Sequence, residues 1–328
     1  MQKLAPVNLA AIQRPVRQDL DAVLAELRRI IAADFPIIAD VNRHLLRMQG
    51  KMLRPTLVLL SASATDDVTP EDVRLAAVVE LIHVATLVHD DSVDHSVLRR
   101  GQPTVNALFS HQVAVIMGDY LYSRAIIELV KLDDPEPLRV MSRVTNEMTV
   151  GEMRELVAHD MLDYSESDYD ELIRSKTASL MSAACEIGGL RGRPAEREVL
   201  RRYGLLLGMA FQITDDVLDY TGTESVTGKP SGHDLREHKI TLPLIAALPR
   251  LLPGERRQLQ QLMAAPAPSD DLIHAVIGAV AAHGGVVAAQ ERALKLAQRA
   301  EAELDLLPES AARESLRDCV SYAVERRS

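Results

Sequence analysis

Residues 77–94 read AVVELIHVATLVHDDSVD. The run is apolar, free of glycine and proline, and closes on Asp90, Asp91 and Asp94 at i, i+1 and i+4. On a helix, i and i+4 lie one turn apart, so Asp90 and Asp94 project from one face. Like charges at that spacing are mildly destabilising on a bare helix. A self-repelling group at the end of a buried-looking helix calls for a cation.

Outward from this stretch, apolar positions keep recurring at helical spacing. Residues 16–34, with Val16, Leu20, Val23, Leu24, Leu27, Ile30 and Ile31, read as an amphipathic helix that Pro36 ends, and 38–48 as a second. Gly50 interrupts, and LRPTLVLLSASA restarts the pattern with Pro55 suited to a first turn. Thr69 before Pro70 and Glu71 marks the start of the 71–94 helix. After it, HSVLRRGQPT is a loop carrying Arg99 and Arg100. Residues 104–131 predict one or two helices interrupted around 118–120, 138–158 another, and 166–190 a further one with Ser167 as N-cap. The next helix runs from GRPAERE to Tyr220, and a glycine-rich polar stretch follows as far as Lys239. Helices over 240–250, 255–264, 270–283, 286–305 and 309–325 complete the series. No run alternates as a strand does, so the expected fold class is all-α, as a single domain over 1–328.

Composition bounds the function. The 328 residues are 47% hydrophobic but only 3% aromatic, which predicts an aliphatic core. A net charge of −10 argues against general binding to nucleic acid or anionic membrane. Cys185 and Cys319 match no metal or redox spacing and read as reduced, buried thiols. The N-terminal stretch lacks a secretory apolar region, and no apolar run reaches about 18 residues. A cytoplasmic chain without a transmembrane segment is expected.

The decisive observation is a second copy of the acidic pattern. FQITDDVLD at 211–219 places Asp215, Asp216 and Asp219 at i, i+1 and i+4, again closing an apolar helix. One such motif is commonly just a solvated helix end; two are harder to dismiss. All-oxygen carboxylate sites suit a hard ion such as magnesium, which keeps several waters and bridges to substrate phosphates. Basic residues flank both motifs: Lys51 and Arg54 in GKMLRP, Arg99 and Arg100, Lys176 beside Thr177, and Lys229 and Lys239 around the polar loop. Each alone reads as a surface charge. Together with the aspartates they describe a site for two diphosphates, Arg binding phosphate by its fork and Lys as a point charge. His83 lies seven residues before Asp90, two turns along the same face, which favours a ligand over a core histidine. His89 and His95 have no such support and read as incidental.

In order, GKMLRP, ELIHVATLVHDDSVDHSVLRRG, GDYLYSRA, the Lys176–Thr177 pair, GMAFQITDDVLDY and GKPSGHDLREHKITLP run along nearly the whole chain. In these motifs the sequence resembles the trans-isoprenyl diphosphate synthases of the polyprenyl synthetase family, most closely the long-chain octaprenyl, heptaprenyl and solanesyl type. The resemblance implies the isoprenoid synthase fold, antiparallel helices around a large central cavity. It implies head-to-tail condensation of isopentenyl diphosphate with an allylic diphosphate, farnesyl or geranylgeranyl, for quinone side chains. It further implies three magnesium ions per site with substrate bound, a homodimer, and loose membrane association at product release. Carried over residue by residue, Lys51, Arg54, His83 and Arg100 resemble the isopentenyl diphosphate ligands. Asp90 and Asp94, with Asp215 opposite, resemble the magnesium ligands, and Asp91, Asp216 and Asp219 their outer or water-mediated partners. Arg99, Lys176, Thr177, Gln212, Lys229 and Lys239 resemble the other groups around the allylic diphosphate; Asp90, Asp94, Lys176, Asp215 and Lys239 form the implied catalytic set. Met52 stands where relatives are often basic, and Ser92 where they are aliphatic; neither is a ligand.

Product length is read from the same helix. Thr86 and Ala85, four and five residues before Asp90, are small, whereas short-chain members of the family tend to carry an aromatic floor there. A long product of six to ten units is expected, octaprenyl at the centre, with Leu129 and Met141 as candidates for a deeper floor. The alternatives are a shorter, geranylgeranyl-type synthase, a terpene cyclase of the same fold, a non-catalytic subunit, and a metal-binding helical bundle. Lys51, Arg54, His83 and the second aspartate motif argue against the cyclase. Retention of both motifs argues against the subunit, and the lack of ExxH ligands against the bundle.

Overall fold

Thr69 and Asp72 start the helix that carries the first aspartate motif. The Asp72 carboxylate accepts the Thr69 backbone N–H at 2.8 Å, the Thr69 hydroxyl faces the Asp72 N–H at 3.4 Å, and Pro70 takes the first helical position. This is a capping box with a proline that has no N–H to lose. The helix runs Pro70–Val93 and is buried on nearly every side along Leu75–Ile82. A helix apolar all round belongs in the middle of a bundle.

The computed structural model describes residues 8–48, 50–158, 163–222 and 231–325. In chain order the helices are α1 (Leu9–Ile12), α2 (Arg17–Ile31), α3 (Pro36–Arg47), α4 (Leu53–Thr65), α5 (Pro70–Val93), α6 (Val105–Leu108), α7 (His111–Val130) and α8 (Glu136–Ala158). They continue as α9 (Glu166–Ile173), α10 (Ser179–Gly188), α11 (Pro194–Thr221), α12 (His233–Arg236), α13 (Leu242–Ala247), α14 (Pro253–Ala264), α15 (Asp270–Ala282), α16 (Gly285–Leu304) and α17 (Ala311–Glu325). The second motif closes α11. Helix α5 packs on α2, α4 and α7, α11 packs on α10 and α16, and α10 touches both, so the two motif-bearing helices share the centre of the bundle. The all-α expectation is met, and no single helix among the described residues is long and apolar enough to cross a membrane. Cys185 and Cys319 are free and buried.

Three local expectations are corrected. The break in 104–131 falls at 109–110, where Ser110 caps α7 by accepting the Val113 N–H at 3.2 Å; the helix continues unbroken through 118–120. Gly118 is there for room: a Cβ would lie 2.1 Å from the ring of His89 on α5. The N-cap of α9 is Ser165, in a capping box with Asp168, and Ser167 already lies inside the helix. One strand pair does exist, Leu98–Arg99 against Gln102–Pro103 (β1 and β2). Its turn residues, Arg100 and Gly101, have φ of 53° and 73°. Left-handed central residues make the tight hairpin turn, and strands of two residues are too short to leave an alternating pattern.

Candidate active site

Asp90 sits at the end of α5 among other acids. Burial, and next the charge of Glu152 on α8, push its carboxyl up to about 7, with Asp94 adding to the effect. Lys176 offsets part of this. Its ammonium lies 2.9 Å from Glu152 and also donates to Glu155. Burial works against that ammonium, but Glu155, Glu152 and Asp90 outweigh it, so its proton is held more tightly than usual.

Lys176 and Thr177 reach the site from a π-helical turn, Arg174–Ala178, inserted between α9 and α10 and packed against α8 and α11. Such one-residue excesses in a helix re-aim side chains and cluster at functional sites. The Ser179 hydroxyl donates to the Ser175 carbonyl at 2.6 Å, satisfying one acceptor of the widened turn.

From Thr177 a chain of hydrogen bonds leads to the second motif. The Thr177 hydroxyl donates to Gln212 at 2.9 Å, and the Gln212 amide donates to Asp216 at 2.8 Å. Buried Tyr169 donates its hydroxyl to the other Asp216 oxygen. Burial still pushes the Asp216 carboxyl up to about 7. The three aspartates of this motif therefore do different things. Asp215 is exposed at the surface of α11, Asp216 is buried and held by Tyr169 and Gln212, and Asp219 accepts the backbone N–H groups of His233 and Asp234, each at 3.0 Å. Asp219 thereby anchors α12, which leads directly into Lys239. That ammonium is 2.8 Å from Glu237, 3.8 Å from Glu155 and 3.9 Å from Asp94. A cavity of about 170 Å³ lies between these elements, lined by Glu155, Lys176, Gln212, Asp216, Asp234 and Lys239 among others.

The donors fit a hard divalent cation. They are carboxylate oxygens, and at Asp90 and Asp216 burial first, with neighbouring acids adding to it, holds protons above the ordinary carboxylate range. Among the described residues no three such groups stand close enough to hold a metal ion by themselves.

Two turns before Asp90 on α5 a second basic cluster forms. Arg54 Nη1 lies 2.9 Å from His83 Nε2. Burial, then the charges of Arg54, Arg100 and Arg99, hold the His83 imidazolium well below its usual range, so the ring is neutral and accepts from Arg54. Glu80, one turn earlier, is buried; burial raises its pKa while Arg54 and Arg100 lower it. Arg100 donates to the Met48 carbonyl at 2.9 Å and lies so close to Gly50 that a Cβ there would be 2.7 Å from the guanidinium. Arg99 donates to both oxygens of buried Asp91, at 2.8 and 2.9 Å. Asp91 thus orients Arg99. Lys51 is exposed, its ammonium 6.0 Å from the Tyr322 ring centroid on α17.

Of the residues marked in sequence, Asp90, Asp94, Lys176 and Lys239 are joined through shared ion pairs and charge contacts, Thr177, Gln212 and Asp216 through hydrogen bonds, and Arg54, His83 and Arg100 in the second cluster. Lys229 lies outside the described residues. Ala85, Leu129 and Met141 are buried, and Thr86 turns its hydroxyl to the His83 carbonyl at 2.9 Å. Glu152, Glu155, Tyr169, Asp234 and Glu237 went unmarked. The only signal for the first two is their i, i+3 spacing on α8.

Comparison with known proteins agrees with this arrangement. The sequence pattern of the family described as Polyprenyl synthetase matches residues 35–280. An all-trans-nonaprenyl-diphosphate synthase (geranyl-diphosphate specific) from Rhodobacter capsulatus is 39% identical over 317 residues, 96% of this chain and 97% of its own. The octaprenyl diphosphate synthase of Escherichia coli is 35% identical over 322 residues, 98% and 99% of the two chains. The crystal structure of a Caulobacter crescentus polyprenyl synthase complexed with calcium and isoprenyl diphosphate superposes with a TM-score of 0.94 at 33% identity, covering 99% of this chain and 100% of that one. Two aspartate-closed central helices, the half-buried lysines beside them and this match along nearly the full length lead to one conclusion: the chain belongs to the polyprenyl synthetase family.

Proposed function

We propose that this chain is an all-trans polyprenyl diphosphate synthase, a prenyltransferase that condenses isopentenyl diphosphate head-to-tail onto an allylic diphosphate and makes a long-chain product. The observation that carries the reading is the pair of aspartate motifs joined through Lys176, Thr177 and Gln212, with a separate Arg54–His83–Arg100 cluster. Two anion sites are what a two-diphosphate reaction needs and a one-diphosphate cyclase does not.

In this reading Asp90, Asp94 and Asp215 hold magnesium, which when bound neutralises the allylic diphosphate and improves it as a leaving group. Lys176 and Lys239 contact the same diphosphate and stabilise the charge that develops as the allylic C–O bond breaks; Arg99, aimed by Asp91, acts with them. Thr177 and Gln212, fixed to each other, orient the lysine turn. Arg54, neutral His83, Arg100 and Lys51 bind isopentenyl diphosphate so that its double bond faces the allylic cation. The new C–C bond forms there, and the proton lost from the adjacent carbon passes to the departing pyrophosphate. Asp216 and Asp219 serve by holding Gln212 and α12 in place. Lys229 completes the proposed diphosphate contacts.

The growing tail is assigned a path back along α5 past Ala85 and Thr86, toward Leu129 and Met141. One helical turn, about 5.4 Å, is close to one extended isoprene unit. Relatives named for octaprenyl and nonaprenyl products support a long chain; the nonaprenyl relative is named as geranyl-diphosphate specific, whereas the primer proposed here is farnesyl or geranylgeranyl diphosphate. The relative complexed with calcium and isoprenyl diphosphate supports a divalent cation, proposed here to be magnesium at three ions per site with substrate bound. We also propose a single domain spanning the chain, a cytoplasmic location with loose membrane contact at product release, and a homodimer. The exposed apolar side chains of α7 (Val115, Ile116, Tyr122, Ile127, Val130) form the face a second copy would cover. The test is incubation of the purified chain with magnesium, farnesyl diphosphate and labelled isopentenyl diphosphate. Long prenyl diphosphates are expected, and absence of any label in an elongated product refutes the assignment.

A further inference from the structure

Lys176 and Lys239 come from separate elements, yet both meet one carboxylate, Glu155 on α8. Lys176 donates to Glu155 Oε2, and Lys239 Nζ stands 3.8 Å from Glu155 Oε1, so each oxygen faces one lysine. Glu152 and Glu237 each hold a single lysine, at 2.9 and 2.8 Å; Glu155 is the carboxylate both share. All three groups line the cavity of about 170 Å³ and are mostly enclosed, with side-chain exposures of 26%, 24% and 21% for Lys176, Lys239 and Glu155. Two enclosed ammoniums gathered at one place repel each other, so beyond their single partners Glu152 and Glu237 an anion shared by both is favoured, and one that leaves is best replaced by another.

We infer that Glu155 is that replacement: a positioning residue that holds both lysines while no diphosphate is bound and recaptures them when pyrophosphate departs. This rests on the reading of Lys176 and Lys239 as diphosphate ligands. An incoming diphosphate takes the two ammoniums from Glu155, whose own charge then lies within a few ångströms of the phosphate oxygens and weakens their hold. A synthase that adds many units releases one pyrophosphate per addition, so the exchange recurs at every step. Glu155 trades affinity for the bound anion against speed of clearing it.

The experiment measures inhibition by inorganic pyrophosphate and the KM for farnesyl diphosphate, in magnesium buffer, for the full chain and its Glu155→Gln, Glu155→Asp and Lys176→Ala variants. Glu155→Gln keeps the shape and removes the charge. The inhibition constant of pyrophosphate should fall about tenfold, the scale expected for deleting one nearby like charge in a partly enclosed site. KM should fall with it, and kcat should drop as release slows. Glu155→Asp, one methylene too short to serve both lysines, should lie between, and decides the matter if the glutamine variant fails to fold. An unchanged or higher inhibition constant in both Glu155 variants overturns the inference. Lys176→Ala separates the two readings. If it leaves pyrophosphate inhibition and KM unaltered, the lysine assignment falls. If it weakens both while the Glu155 variants match the unaltered chain, only the role of Glu155 falls.

Discussion

Replacing Asp90 by Asn should make the metal-free protein more stable while destroying its activity. Burial and the neighbouring acids raise the Asp90 carboxyl from 3.8 to about 7. Each tenfold change in proton affinity is about 1.4 kcal/mol, so above pH 7 ionising Asp90 in the fold costs about 4 kcal/mol more than in the unfolded chain. The sign follows from linkage. Between pH 3.8 and about 7 the native state binds the extra proton, so stability falls as pH rises through that window and levels off above it. Asp94 and Glu152 share the strain and relax when Asp90 goes neutral, so a net gain of about 1–2 kcal/mol is the reasonable share of that ceiling. For a chain of this size that corresponds to a rise in Tm of about 1.5–3 °C. The assay is thermal unfolding at pH 5 and pH 8 in EDTA, repeated with magnesium and an allylic diphosphate. The gain should be present at pH 8, shrink at pH 5 where Asp90 is already protonated, and reverse with magnesium and substrate, which stabilise only the ionised site. Turnover should fall by orders of magnitude. A variant no more stable at pH 8 than the unaltered chain refutes the electrostatic reasoning, and full activity of Asp90→Ala refutes the assignment of the site.

Ala85→Phe places an aromatic ring on the path assigned to the tail, and the product distribution by chromatography should shift to shorter chains; an unchanged length counts against that path. Arg54→Met keeps the volume of the side chain and removes the charge beside His83. KM for isopentenyl diphosphate should rise about tenfold or more while KM for the allylic substrate changes little, since one charge-assisted contact is worth about 1.5–3 kcal/mol. If the proposed homodimer forms through the exposed face of α7, a double change of Ile116 and Ile127 to Glu should leave a monomer in light scattering at unchanged helicity by circular dichroism. A dimer that survives it locates the interface elsewhere.

The aspartate motifs were legible because their chemistry is local: acidic residues one turn apart at the end of an apolar run announce themselves. The helices were legible for the same reason, being written in apolar spacing and in caps such as Thr69 and Asp72. What the sequence hid is long-range. Glu152 and Glu155 look like any acidic pair on a solvated helix face until α8 is seen against Lys176. The distinct duties of Asp215, Asp216 and Asp219 depend on Tyr169, 47 residues away, and on His233 and Asp234, 14 and 15 residues on. Gly118 reads as a helix breaker from one dimension and as clearance for an imidazole in three. The hairpin at 98–103 turns on left-handed conformations of Arg100 and Gly101 that no periodicity encodes.

The π-helical turn at Arg174–Ala178 has a consequence for how the protein can change. An extra residue in a helix is a phase shift: everything after it is rotated by about 100° relative to an uninterrupted helix. Helix α9 therefore addresses one set of neighbours and α10 another, and Lys176 sits at the joint. Deleting any one residue of this turn would let the backbone close into regular α-helix and gain hydrogen bonds. The same deletion would swing Lys176 and Thr177 out of register with Gln212 and Glu155. At this joint the locally better helix is the one that misplaces Lys176 and Thr177, so the length of the turn matters as well as the identity of those two side chains.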